Sequence, residues 1–207
     1  LGQGFGDTWE WDGNNWSLRS NSGPAARSMH TLSYDAMRQR CVMFGGEIAG
    51  VGRTAETWEW NGTAWTQRFP THFPNVRQNH TACFDSGRGR VVVFGGWQPA
   101  LFGDIYGNDQ WEWNGQDWTQ RFPLTTLVGR ENSALVYDIA RGRSVLFGGF
   151  RASRLGIGTW LGDTFELLAP IDDVGPGHPG IGGLPITSYA PPRLGHAFDL
   201  RFQSPLG

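Results

Sequence analysis

Arg27-Ser28-Met29-His30, Arg40-Cys41-Val42-Met43-Phe44-Gly45-Gly46 and Thr57-Trp58-Glu59-Trp60-Asn61-Gly62 form the stretch that decides the fold, because its markers recur. Phe94-Gly95-Gly96 and Phe147-Gly148-Gly149 follow the first Phe-Gly-Gly at steps of 50 and 53 residues. Trp9-Glu10-Trp11, Trp58-Glu59-Trp60 and Trp111-Glu112-Trp113 keep steps of 49 and 53. Two independent markers share one period. Ahead of each double glycine stands Arg27-x-x-His30, Arg77-x-x-His80 or Arg130-x-x-Ser133, with Asp35, Asp85 or Asp138 eight residues after the Arg.

Each period breaks into four strand-length pieces. Residues 29–35, 79–85 and 132–138 read as strand A, and 40–44, 90–94 and 143–147 as strand B, entering the double glycine. Thr57 to Trp60 reads as strand C and Trp65 to Arg68 as strand D. Asp12-Gly13, Asn61-Gly62 and Asn114-Gly115 join C to D, since both central residues of a tight hairpin turn require positive φ. Trp11 with Trp16, Trp60 with Trp65, and Trp113 with Trp118 then flank each turn as cross-strand aromatic pairs, structural before they are functional. The paired glycines lack Cβ, which admits a neighbouring backbone or an unusual φ.

A repeat near fifty residues built of four short strands has the size of one propeller blade. Together the Arg-x-x-His, the apolar run into Gly-Gly and the paired Trp resemble the kelch repeat of β-propellers, over residues 1–169. The resemblance implies an all-β fold of about three and a quarter four-stranded blades, short of the roughly four to eight that close a ring. The chain opens inside a unit, so an upstream portion is expected; either that portion completes the ring, or two chains combine, or an open fan is stabilised by something else. From Pro170 the sequence changes to a Pro/Gly-rich linker over 170–192, and 193–207 reads as one alternating strand through Phe198, Leu200 and Phe202. That last stretch looks like the start of a small β domain found after such repeats in secreted bacterial proteins, or an assembly strand.

Composition narrows the partners. Among 207 residues are 31 Gly and 12 Pro, with no collagen period, and 11 Trp that mostly hold repeat positions. All 17 basic residues are Arg, scattered singly in a chain of net charge −2, so no basic stripe exists to follow a phosphate backbone. Nucleic acid is therefore excluded as a partner. No apolar run is long enough to span a membrane as a helix. Cys41 and Cys83 occupy different repeat positions and read as small buried strand residues rather than a disulfide.

An antiparallel A-B-C-D unit puts its short A–B and C–D turns on one face and the long B–C and D–A loops on the other. Binding residues concentrate on such loops. The large or charged loop side chains are Arg53, His72, Phe73, Trp97, Phe102, Tyr106, Arg151, Arg154 and Trp160. Arg27, Arg77 and Arg130 open strand A at the mouth of the central channel on the same face, placed either to bind a carboxylate or to pair with Glu10, Glu59 or Glu112. His30 and His80 recur with the repeat and read as core histidines. Some kelch-like propellers, galactose oxidase and the sialate mutarotases among them, are enzymes. Copper chemistry of the oxidase type needs a Tyr, Cys and His set that these loops do not offer. Asp109 sits at the turn position shared with Asp7, Glu56 and Asp163, which argues against a calcium site with Asp104 and Asn108. The expectation is an extracellular, non-catalytic binding or structural module without cofactor or metal, presenting its long loops to a glycan or protein. Two alternatives stand beside it: part of a carbohydrate-active or oxidising enzyme whose catalytic groups lie elsewhere, and a self-associating subunit of an extracellular assembly.

Overall fold

The computed structural model describes residues 4–101, 103–122, 126–152 and 157–167. Every described residue belongs to the first of two parts of the chain, Leu1–Pro176. The linker over 170–192 and the strand over 193–207 lie outside the described residues.

Every described element is a strand. Repeat one contributes β1 (Thr8–Trp11) and β2 (Trp16–Ser20). Repeat two contributes β3 (Arg27–Ser28), β4 (Thr31–Asp35), β5 (Arg40–Phe44), β6 (Glu47–Ile48), β7 (Gly52–Arg53), β8 (Thr57–Trp60) and β9 (Trp65–Arg68). Repeat three holds β10 (Thr81–Asp85), β11 (Arg90–Phe94), β12 (Trp97–Ala100), β13 (Gly103–Tyr106), β14 (Gln110–Trp113) and β15 (Trp118–Arg121). Repeat four holds β16 (Ala134–Asp138), β17 (Arg143–Ala152) and β18 (Gly158–Leu167). Two antiparallel sheets are complete, in the orders β4-β5-β8-β9 and β10-β11-β14-β15, flanked by the pair β1-β2 and the triplet β16-β17-β18.

The four strands per unit fall where the pattern puts them, with three differences. The first is at the C–D turns: only the glycine takes positive φ, and Asp12, Asn61 and Asn114 instead close a four-residue loop by accepting two backbone N–H groups at Oδ1. Strand A starts two residues later than expected, at Thr31, Thr81 and Ala134. The residues before it explain why: Met29, Asn79 and Asn132 take φ of 58°, 55° and 54°, a left-handed conformation that no strand can include. The long B–C loops are also not irregular. They fold into the hairpins β6-β7 and β12-β13, and in repeat four β17 and β18 continue past the double glycine as one ten-residue ribbon.

The sheets stack face to face, β10 lying beside both β4 and β16. Val42 and Phe44 of repeat two pack on Val91, Val93, Trp113 and Trp118 of repeat three, and Phe94 meets Leu127, Leu146 and Leu167. Each core thus lies between sheets, because a single sheet cannot bury its own apolar face. The double glycines make the stacking possible. Gly95 and Gly96 have φ of 68° and 93°, and Gly96 N–H donates to the Arg130 carbonyl at 2.8 Å. A Cβ on Gly95 would lie 2.5 Å from that same carbonyl oxygen.

Candidate functional site

The arginines at the start of strand A are structural. Arg77 is wholly buried, and all five of its N–H groups are spent: on the carbonyls of Asn75 and Gly95, on Gln98 Oε1, and bidentately on Asp109 at 2.7 and 3.0 Å. Arg130 repeats this on Val128, Gly148 and Asp163, and Arg27 on Ala25, Gly45 and Glu56. The expected pairing with Glu10, Glu59 or Glu112 is therefore corrected: the acid just before strand C takes the guanidinium. That acid also accepts the indole N–H two residues on, Trp58 to Glu56 at 2.9 Å and Trp111 to Asp109 at 2.7 Å. Burial works to raise the Asp109 carboxyl, and the Arg77 bonds outweigh it and hold the group below the ordinary carboxylate range.

The Glu of Trp-Glu-Trp has a different task. Glu59 is buried, accepts Arg38 at 2.5 Å and Arg68 at 2.7 Å, and also accepts Trp113 Nε1 of the next repeat at 3.0 Å. One repeat earlier, Trp60 Nε1 donates to Glu10 at 3.0 Å. A second indole runs in parallel: Trp65 to Thr8 at 2.7 Å and Trp118 to Thr57 at 2.9 Å. Near the start of strand A a backbone thread joins the sheets, Asn79 N–H to the Met29 carbonyl and Asn132 N–H to the Asn79 carbonyl. Cys83 and Cys41 are both free thiols, and Cys83 Sγ lies 3.5 Å from Ser144 Oγ across a sheet junction.

The loop residues gather into two groups. The hairpins form a row in which Arg53 lies 4.8 Å over the Trp97 ring and pairs with Asp104 at 2.7 Å, while Tyr106 meets Phe150 edge-on at 6.2 Å. Register shows what the sequence hid. Glu47 faces Arg53, Trp97 faces Tyr106 and Phe150 faces Trp160, so these side chains share repeat positions despite their unlike chemistry. Arg53 and Tyr106, the second members in repeats two and three, reach the first member of the following repeat. Trp160, in repeat four, stacks back on Phe150 at 5.0 Å and is 76% exposed. Arg151 lies in the same ribbon, partly buried, paired with Thr159. Phe102 and Arg154 lie outside the described residues.

His72 does not join this row, contrary to its sequence placement. It is tied to Asp117 in the Asn114–Asp117 turn, by its backbone N–H at 2.8 Å and Nδ1 at 2.7 Å, and neighbouring Phe73 is exposed. The His72 bonds pull the Asp117 carboxyl below its ordinary range. His80 is buried against Phe44, with Nε2 2.9 Å from Thr31 Oγ1. Burial, then the nearby Arg77 charge, push its pKa down to about 3, so the ring is uncharged near neutrality.

Among the described residues no three His, Cys, Asp or Glu side chains converge to hold a metal, and no helix is long and apolar enough to cross a membrane. The surface depressions are shallow; one lies over strand A of three repeats and is lined by Tyr34, Phe84, Val136 and Tyr137. No family model and no curated protein matches the sequence. The fold resembles the solved structure of YjhT, a β-propeller-like protein, at TM-score 0.60 and 16% identity over 77% of this chain. The match covers 48% of that chain, so the present chain spans about half its length. At this identity the likeness concerns the fold.

Proposed function

We propose that this chain is a segment of an extracellular kelch-type β-propeller, about three and a quarter blades, acting as a non-catalytic module that binds a protein through its B–C hairpins. One observation carries the reading. The hairpin row ends in Val51, Leu101 and Ile157, one exposed aliphatic residue per repeat at or beside each turn. The hairpins beneath are braced by the Arg53–Trp97–Asp104 and Tyr106–Phe150 contacts, so the apolar tips are held by paired strands. Exposed apolar side chains repeated along one row of hairpins are the makings of a protein contact. A glycan platform fits less well, because sugar rings stack on open aromatic faces, and the Trp97 face is taken by Arg53 and Tyr106 is engaged by Phe150, which leaves Trp160 as the one well-exposed aromatic of the described row.

The test compares the wild-type chain with a Val51→Asp, Leu101→Asp, Ile157→Asp triple variant on a glycan array and on a displayed library of surface proteins. Protein binding lost in the variant at unchanged melting temperature supports the proposal. Glycan binding that survives the triple variant, or protein binding indifferent to it, overturns it.

A further inference from the structure

The C–D turns hold a reactive pair, and we propose that Asn61 and Asn114 are sites of self-modification, where the backbone nitrogen of the following glycine converts the carboxamide to a carboxylate. Each turn is built from its own residues. Asn61 Oδ1 accepts the N–H groups of Thr63 at 2.8 Å and Ala64 at 2.7 Å, and Asn114 Oδ1 accepts those of Gln116 and Asp117, both at 2.8 Å. Two fixed donors thus face the oxygen that turns negative when a nucleophile adds to Cγ, the arrangement of an oxyanion hole. The nucleophile is adjacent: Gly62 and Gly115 have no side chain to shield their nitrogens, and neither N–H is committed to an acceptor among the described residues.

The glycine nitrogen gives up its proton and bonds to Cγ, the bond from Cγ to Nδ2 breaks, and ammonia carries that proton away, leaving a cyclic imide. Water then opens the ring. Because both donors polarise the Cγ carbonyl, water adds there, the proton returns to the glycine nitrogen, and the product is a normal Asp. Opening at the backbone carbonyl would leave isoaspartate, whose extra main-chain atom breaks the turn. Repeat one shows that the turn accepts the product: Asp12 occupies the same place, and its Oδ1 takes the Asn14 and Asn15 N–H groups, both at 2.8 Å. Those bonds, Asn15 first, hold the Asp12 carboxyl below its ordinary range, so it stays ionised and resists attack by Gly13. The conversion therefore stops at Asp.

The two sites differ in freedom. His72 clasps Asp117 by its backbone N–H at 2.8 Å and Nδ1 at 2.7 Å, and this restrains the Asn114 turn against the rotation that brings nitrogen to Cγ. Ala64 holds the corresponding place in repeat two and offers no carboxylate to clasp. Arg38 also lies against Gly115, so the clasp is tested at Asn114 itself.

The experiment incubates the full chain in mildly alkaline buffer, with and without urea, and maps Asp and isoaspartate at both positions by mass spectrometry and isoaspartyl methylation. In the folded chain both Asn are expected to convert with normal Asp in excess, and in urea isoaspartate should dominate. Asp117→Ala should speed conversion at Asn114 roughly fivefold or more and leave Asn61 unchanged. His72→Ala, which spares the backbone bond, should give a smaller rise of the same sign. Absence of conversion at both positions in the folded chain overturns the proposal, as does an excess of isoaspartate there, or an Asn114 rate indifferent to Asp117→Ala. The hairpin tips are untouched in these variants, so this result and the test of protein binding stand apart.

Discussion

Trp113 and Trp11 hold the same place in two repeats and have opposite fates: Trp113 is fully buried, and Trp11 is 51% exposed. Phe94 and Phe147 differ the same way, at 0% and 54%. The C–D hairpins of the two tryptophans match in register and cross-strand partner, and the Trp11–Trp16 and Trp113–Trp118 rings both sit 5.5 Å apart. Their surroundings differ: β14 also pairs with β11 and packs on Val42 and Phe44 of the preceding repeat, while β1 pairs only with β2 among the described residues. Burial here belongs to the junction between repeats, which is the general behaviour of a repeat architecture whose stability is the sum of neighbour contacts.

The largest break in that comparison is at the tryptophans. Trp113→Ala should cost about 3 to 5 kcal/mol in chemical denaturation, by cavity formation, and Trp11→Ala about 1 or less. Equal effects would mean that the strand and not the junction sets the energy. Charge gives a second contrast of similar size. Asp109→Ala strands the buried Arg77 charge and should cost about 3 to 5 kcal/mol. Arg19→Ala removes the half-exposed 2.8 Å pair with Glu10 and should cost at most about 1 kcal/mol.

A smaller effect is expected at the glycines. Gly95→Ala forces a Cβ against the Arg130 carbonyl at positive φ, for at least about 2 kcal/mol. Gly13→Ala meets no atom and carries only its φ strain, about 1 kcal/mol, so melting temperatures of the two variants should separate clearly. A different kind of contrast is the pH dependence of His80. Its folded pKa of about 3 lies below the ordinary value near 6.5, so below that value the unfolded chain binds the extra proton. Stability is intact above the unfolded pKa and falls as pH drops through the window from about 6.5 to 3, by at most about 1.4 kcal/mol per unit. The paired carboxylates Glu59, Asp109 and Glu112, also held low, lose their contribution only further down, as pH falls below the ordinary carboxylate range. His80→Gln should flatten the slope between about pH 6.5 and 4.5, leaving there the share of His30, also held low by burial, and should reduce but not remove the slope below, where the carboxylates act.

Much of the architecture was legible. Strands B, C and D carry their own signals: an apolar run into Gly-Gly, an aromatic pair, and an Asn-Gly or Asp-Gly turn. Strand A was read too long because nothing local announces that Met29 or Asn79 turns left-handed; the backbone bond from Asn79 to Met29 across the junction accompanies it. The hairpins β6-β7 and β12-β13 escaped because they share no residues, only a register. For the same reason Arg53, Tyr106 and Trp160 looked like unrelated loop side chains when they hold one repeat position. Their shared task, reaching the next repeat, is met by a cation over a ring in one case and by two rings in another.

The sequence by itself determined the period, the strand order and the residues that face a junction, because these follow from local spacing, side-chain alternation and turn chemistry. Only the tertiary structure decided who pairs with whom. Arg77 had three plausible acids within its repeat pattern, and it is Asp109 rather than any Glu of Trp-Glu-Trp that folding brings to its fork. The indole donors found their Glu and Thr acceptors about fifty residues away on another sheet. A hydrogen bond or an ion pair depends on a few tenths of an ångström and on direction, and between sheets those are fixed by stacking, which no one-dimensional spacing encodes.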